Sequence, residues 1–350
     1  MKQAVLLGNP GTKRTHYLGR AAREAGLHVL FLDWRRWRED FPQGEVFLKI
    51  DPPVWDSCAL GQLWELVGGY REQLAELERM KAAQGVEFLN EPGAIGMLMD
   101  KPACKARLVA GGVAVTEELG EAGDVRQLLE AMQARRVTQV FLKPAWGSGA
   151  AGVAAFRWQP RSGQMVLYTC AWEAPGEGDR KAPGGLVNTK QLRRVTDSSQ
   201  VLSLVERLLK LGCIVERWYA KAEYQGYSYD LRAVVQDGQM DFCLARLSKG
   251  PITNLHLNNH PLELKELGLS QAVAEEMKSL CRRAVGCFPG LRSAGIDILL
   301  ERGSLKPRII EMNAQGDLIY QDIYGENVIY RRQAEMMAAA CAPLPGRDIL

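Results

Sequence analysis

The chain has 350 residues, with 44 lysines and arginines against 41 aspartates and glutamates, 47% apolar residues and 24% charged ones. That length makes roughly two or three structural units of ~100–200 residues, and the composition is that of a globular protein rather than a disordered or fibrous one. A net charge of +3 gives no basic footprint for nucleic acid, and no apolar run approaches the ~20 residues needed to span a bilayer.

The opening Met1-Lys2-Gln3-Ala4-Val5-Leu6-Leu7 is too short in its apolar part for a signal peptide and runs into the turn Gly8-Asn9-Pro10-Gly11. It is read as a first strand. A helix from about Thr15 to Ala25, closed by Gly26, and a second strand from His28 to Leu32 complete a β-α-β unit, which predicts a small parallel α/β domain. The turn is not G-x-G-x-x-G, so no dinucleotide site is expected in it. The basic run Arg35-Arg36-Trp37-Arg38 is answered at once by Glu39 and Asp40 and reads as a solvated segment. A long helix is expected over Leu60–Ala83, and Phe88–Pro92 closes the first domain.

Helices are expected from near Pro92, after Met99–Lys105 as far as Gly111, and over Val125–Met132. Val140–Pro144 is a strand carrying Lys143. The small-residue loop Gly147-Ser148-Gly149-Ala150-Ala151-Gly152 follows, then a strand from Ala154 to Arg157. A glycine-rich loop between strands presents backbone N–H groups that suit phosphate, although a tight hairpin without ligand has the same signature. Asp197 is placed to cap a helix ending at Gly212, before the strand Cys213–Val215 and its polar end Glu216-Arg217-Trp218. Tyr229–Val235 and Phe242–Leu247 form a hairpin about Asp237-Gly238, with Asp230 and Arg232 on one strand and Arg246 on the other. The loop Thr253-Asn254-Leu255-His256 follows, and a helix is expected over Ser270–Val285.

The stretch Ala294–Asp317 carries the sharpest pattern. Gly295–Leu300 and Arg308–Asn313 read as adjacent strands of a hairpin. Residues i and i+2 of a strand share a face, so Glu311 and Asn313 point one way, with Ile310 and Met312 expected on the other. Asp297 faces them from the neighbouring strand. Two carboxylates and an amide oxygen make a hard, all-oxygen donor set that suits Mg²⁺. A last helix is expected from Gly325 to Cys341. The eight cysteines (58, 104, 170, 213, 243, 281, 287, 341) show no C-x-x-C or zinc spacing and are read as reduced core thiols of a cytoplasmic protein.

In this order, Asp100-Lys101, Lys143-Pro144 with its glycine loop, Val215-Glu216-Arg217-Trp218, Asp230-x-Arg232, Arg246 before Thr253-Asn254-Leu255-His256, and Gly295-x-Asp297 before Glu311-x-Asn313 resemble the ATP-grasp superfamily over about residues 90–335. The likeness is to the branch that holds glutathione synthetase and the ribosomal-protein glutamate ligases. It implies α/β and α+β architecture: a parallel domain over 1–95, a small lobe over 96–213 with the phosphate lid, and a lobe over 214–350 with the metal site.

The resemblance also implies roles. Lys101 and Lys143 reach the α- and β-phosphates of ATP, and Gly147, Ser148, Gly149 and Gly152 belong to the lid. Glu216, Arg217 and Trp218 lie at the adenine edge, and Asp230 and Arg232 order the site. Arg246 and Asn254 steady the γ-phosphate or an acyl phosphate. Asp297, Glu311 and Asn313 hold Mg²⁺, or Mn²⁺ in its place. The implied activity is ATP-dependent joining of a carboxylate to an amine. A phosphotransferase and an inactive nucleotide-binding scaffold stand as alternatives. The acceptor is open among a small molecule, a peptide and a side chain of a partner protein. No nucleic-acid or membrane partner is expected, and a homo-oligomer is implied by the habit of related ligases. Ala150 stands where glycine is frequent in the family, and Asn258-Asn259 where paired glycines are frequent; the second departure touches the acceptor pocket.

Overall fold

A computed structural model describes residues 2–55, 59–146, 151–173, 185–253, 259–316 and 325–342. The first sheet holds β1 (Gln3–Gly8), β2 (Val29–Asp33), β3 (Val46–Ile50) and β4 (Val86–Phe88), in the order β2-β1-β3-β4 and parallel throughout. Between its strands run α1 (Lys13–Glu24), the short α2 (Trp37–Asp40) and α3 (Leu63–Gln84). The apolar runs Ala4–Leu7 and Val46–Leu48 are what a sheet covered on both faces requires, and all of these residues are buried. The Thr12 hydroxyl accepts from the Thr15 N–H to cap α1.

The second sheet is antiparallel, in the order β5-β10-β6-β7-β8-β9. After α4 (Pro92–Met99) and α5 (Lys101–Ala110) it is built from β5 (Glu118–Glu121), α6 (Val125–Ala134), β6 (Gln139–Pro144), β7 (Ala154–Trp158), β8 (Met165–Glu173), β9 (Leu186–Val195), α7 (Ser198–Leu209) and β10 (Cys213–Arg217). Asp124 and Asp197 cap α6 and α7 through the N–H groups of Gln127 and Gln200. These helices pack Leu128, Met132, Val201, Leu204 and Leu208 onto Val140, Leu142, Phe156 and Leu167, giving this sheet an apolar core of its own. The other face carries Phe141, Lys143 and Glu216 towards a cleft.

The third sheet is β11 (Glu223–Tyr224), β12 (Tyr227–Gln236), β13 (Gln239–Ser248), β14 (His260–Glu263), β15 (Ser293–Leu300) and β16 (Pro307–Asn313). Its strands run in the order β14-β13-β12-β15-β16, with β11 paired to β12. Asp237 and Gly238 both have φ > 0, at 46° and 76°, the geometry a two-residue hairpin turn needs. Helices α8 (Gln271–Gly286) and α9 (Val328–Cys341) are the last helices among the described residues. Ile296, Ile298, Leu300 and Met312 pack with Met277, Leu280 and Cys281 of α8 in a core that continues into Val5, Leu7 and Leu48 of the first sheet. The first and third sheets therefore share a core, and α9 fastens them again by packing Ile329 and Met337 with Leu18, Phe47, Val234 and Leu244.

One expectation about β16 is corrected. The register runs Asp297↔Glu311 and then Ile298↔Ile309, a bulge with Ile310 as the extra residue. A bulge sets two residues against one and shifts the alternation. Met312 turns into the core as expected, but Ile310 lies beside Glu311 and Asn313 in the cleft.

Gly295 sits where β15 meets the turn after β16. A Cβ there would lie 2.4 Å from the Gly316 carbonyl oxygen and 2.7 Å from Arg232 Nη1. A backbone neighbour cannot swing aside as a side chain does, so Gly295→Ala forces the 314–316 turn away from β15. We expect a loss of about 1–3 kcal/mol in stability, as for an overpacked core, read from the denaturant midpoint.

Candidate active site

The cleft lies between the second and third sheets and opens to solvent. Strand register assembles its floor. Asp230 pairs with Arg246, Arg232 with Asp297, and Asp297 with Glu311, so five charged residues from four adjacent strands lie side by side. Arg246 Nε donates to Asp230 at 2.7 Å, and its Nη2 lies 3.2 Å from Asp297. Arg232 Nε lies 2.8 Å from Asp297 Oδ1, yet this buried oxygen accepts no hydrogen bond, because the N–H is not directed at it. Asp230 is filled on its other side by the Thr253 hydroxyl and by Lys221 Nζ at 3.5 Å. Lys221 also donates to Thr253 at 2.7 Å and to the Pro251 carbonyl at 3.2 Å. Burial raises the Asp230 carboxyl, but Arg246 and Lys221 outweigh it and the group stays below the ordinary range. Burial lowers Lys221.

The opposite wall is a second charge network. Glu216 is 2% exposed and accepts from Lys105 at 2.5 Å, Lys143 at 2.7 Å and the Thr116 hydroxyl at 2.8 Å. Burial would raise this carboxyl; Lys143 and Lys105 override it and hold it at about 2. Lys105 itself is pushed down by burial, against the pull of Glu216. Lys101 opens α5, where Asp100 caps the helix through the Ala103 N–H, and its backbone N–H bonds the Ala145 carbonyl at 3.0 Å. Its ammonium approaches Glu311 to 3.9 Å from a small pocket behind the cleft, and burial lowers it.

The remaining expected residues are placed as follows. Arg217 lies at the cleft rim, 3.3 Å from Glu117. Trp218 turns its ring past Phe141 (centroids 5.4 Å apart) into a neighbouring cleft. Gly152 has φ +70°, and a Cβ there would meet Pro144 Cγ at 2.9 Å. Gly147, Ser148, Gly149, Ala150, Asn254, His256 and Asn258 lie outside the described residues. Trp146 packs edge-on to Trp64 at 5.0 Å, with Arg71 4.6 Å over its ring. Lys105, Thr116 and Lys221 went unread in the sequence. Lys105 had a signal, since it follows Lys101 by one helical turn.

Among the described residues no three His, Cys, Asp or Glu side chains cluster as a metal site. Asp297, Glu311 and Asn313 nevertheless fit a hard cation. Magnesium uses one or two carboxylates and takes its other oxygens from phosphates and water, and the orphaned Asp297 Oδ1 is an acceptor without a donor. The seven described cysteines are unpaired thiols, and no described helix is long and apolar enough to cross a membrane.

A small parallel sheet followed by two antiparallel sheets that close on a charged cleft is the architecture of the ATP-grasp fold, and this chain has that fold. It is similar to the ATP-grasp ligase PsnB, solved with precursor peptide PsnA2 and AMPPNP, at 18% identity and a TM-score of 0.59 over 97% of each chain. It is similar to D-cycloserine synthetase DcsG at 14% identity and a TM-score of 0.59, covering 95% of this chain and 99% of that one. It also resembles the macrocyclase MdnC bound with precursor peptide MdnA, from Microcystis aeruginosa MRC, at 13% identity and a TM-score of 0.60 over 96% and 100%. No family model matches the sequence, and no curated protein does.

Proposed function

We propose that the chain is an ATP- and Mg²⁺-dependent ligase that joins a carboxylate to an amine through an acyl phosphate, with release of ADP and phosphate. The observation that carries this reading is the placement of Asp297, Glu311 and Asn313 on one wall of a cleft whose other wall carries Lys143. In the proposed assignment Lys143 and Lys101 hold phosphate oxygens as point charges, and Asp297, Glu311 and Asn313 hold the metal. Magnesium held by these residues would supply charge neutralisation to the transferred phosphoryl group. Arg246 and Arg232 face the same end of the cleft and stabilise charge on the transferred phosphoryl group. Asn254 is assigned with them. The apolar Phe141, Leu299 and Ile310 suit a purine, with the Glu216–Arg217 backbone at its edge. Trp218 sits farther out.

The separate core of the second sheet, Leu119 to Val215 with Leu60 added, supports a middle unit that closes as a body on its neighbours. Helices α4 and α5 pack instead in the core shared by the first and third sheets, and β10 carries the unit past the expected boundary at 213. PsnB and MdnC were solved with precursor peptides, which supports a peptide among the substrates. Reduced thiols and the use of ATP suit a cytoplasmic setting.

The test is a thermal melt of the full chain with AMPPNP, with and without Mg²⁺. Ligand at ~100 times its dissociation constant adds ~2.7 kcal/mol. A Mg²⁺-dependent rise of at least a few degrees is expected; an unchanged melt of folded protein counts against the assignment.

A further inference from the structure

A second cleft, of about 350 Å³, opens beside the first and shares Lys221 and Pro251 with it. Its walls come from both sheets. Arg157 and Tyr168 project from β7 and β8, Trp218 follows β10, and Lys249 follows β13. Four of its lining residues are cationic (Arg157, Lys221, Lys249, Arg302) and one, Glu223, is anionic. Two of the cations are already neutralised: Arg302 pairs with Glu223, and Lys221 with Asp230.

The other two are not. Arg157 donates only to the neutral Gln139 amide at 3.2 Å, and its guanidinium lies 5.2 Å over the Trp218 ring. Lys249 lies 5.4 Å over the Tyr227 ring. Neither pairs with a carboxylate among the described residues. Stacking on aromatic faces holds a cation in place while leaving its charge available. Two oriented cations on opposite walls of one cleft, neither paired with a carboxylate among the described residues, are a feature to be explained.

We propose that this cleft is a docking site for an acidic peptide segment, distinct from the nucleotide cleft. Arg157 takes one carboxylate in its planar fork and Lys249 takes another, while Trp218 and Tyr168, packed edge to face with centroids 6.4 Å apart, offer one joint aromatic surface to apolar side chains. The cavity, about 350 Å³, falls at the lower end of the ~300–1,000 Å³ of small-ligand pockets, so it seats a short stretch of the segment between Arg157 and Lys249 on its two walls. Two unpaired cations are too few for a polyphosphate backbone, so an acidic peptide is favoured over nucleic acid. The site goes beyond the ligase reading: it assigns a place that holds a chain by its charges while chemistry proceeds next door.

The probe is a fluorescein-labelled peptide of about ten residues, glutamate alternating with leucine and tyrosine, measured by fluorescence polarisation against the full chain. Saturable binding that weakens as salt is raised is expected. In Arg157→Glu/Lys249→Glu the affinity is expected to fall at least about tenfold, near 1.4 kcal/mol, with the AMPPNP-dependent melt unchanged. The milder Arg157→Gln/Lys249→Gln pair should fall in the same direction and serves if charge reversal prevents folding. Lack of binding by the wild-type chain overturns the proposal, as does equal binding by both double variants. Displacement of the probe by free glutamate or by oligothymidylate as readily as by unlabelled peptide overturns it as well, in favour of a small-anion or nucleic-acid site. The nucleotide-dependent melt is read separately, so failure here is distinguishable from failure of the ligase reading.

Discussion

Replacing Glu311 by alanine is expected to lower ADP release by about 10²–10³-fold or more, the scale of losing an electrostatic stabiliser of the transition state. The residue is the centre of its wall. It pairs in register with Asp297, is flanked by Asn313 two positions on, and faces the Lys101 ammonium at 3.9 Å. Removing it leaves one carboxylate of the proposed metal set, and that one is held by Arg232 and Arg246. It also removes a counter-charge of a lysine that burial already depresses. Two readouts separate these effects. The Mg²⁺-dependent part of the AMPPNP melt should vanish, whereas the melt without ligand should move by less than about 1 kcal/mol, because Glu311 lies in the cleft and not in the packed core. Wild-type turnover in this variant would end the metal assignment. A collapse of the ligand-free melt would instead make Glu311 a structural partner of Lys101.

The wall of the cleft that is written in strands was the legible one. Period-two alternation put Glu311 and Asn313 on one face without knowledge of the fold, and Asp237-Gly238 announced the hairpin that brings Asp230 and Arg232 beside Arg246. The start of α5 had a signal that went unused, since Asp100 before Lys101-Pro102 is a capping residue before proline. Ile310 was misread because a bulge is a property of the pair of strands, and its extra residue cannot be assigned from one strand's sequence. The opposite wall was legible only in part. Lys143 and Glu216 were visible as strand residues, but not the contact between them, which requires β6 and β10 to be neighbours in the sheet although 73 residues separate the two side chains. Lys105 and Thr116 reach Glu216 from a helix and a loop, and Lys221 reaches Asp230 from a connection that has no periodicity. Side chains that converge from non-repeating segments leave no spacing to read. The role implied for Trp218 at the adenine edge rested on its neighbours in sequence; β10 ends at Arg217, the alternation ends with it, and the ring falls into the next cleft.

Glu216→Gln is expected to cost about 3–5 kcal/mol of stability, the scale of breaking a buried ion pair by removing one partner. The glutamine keeps the shape and one acceptor, so it still receives the Thr116 hydroxyl, but it leaves Lys105 and Lys143 buried with no counter-charge between them. Lys105 then has Glu118 at 3.9 Å as its remaining carboxylate. The pH dependence gives the prediction its second arm. In the wild type the Glu216 carboxyl is lowered from 4.5 to about 2, so its contribution is complete above the unfolded value of 4.5 and is lost as pH falls towards 2. The displacement corresponds to about 3 kcal/mol. The wild-type melting temperature should therefore drop over this acid window by more than that of Glu216→Gln, which has nothing left to protonate there. At alkaline pH the order reverses. Burial lowers Lys105, so above its folded value the unfolded chain binds more protons and stability rises with pH. With Glu216 gone the charged lysine is worse placed, and the rise should be steeper in the variant. A variant that melts within about 1 kcal/mol of the wild type at neutral pH, with parallel profiles on both sides, would show that the two lysines hold their places without the carboxylate between them.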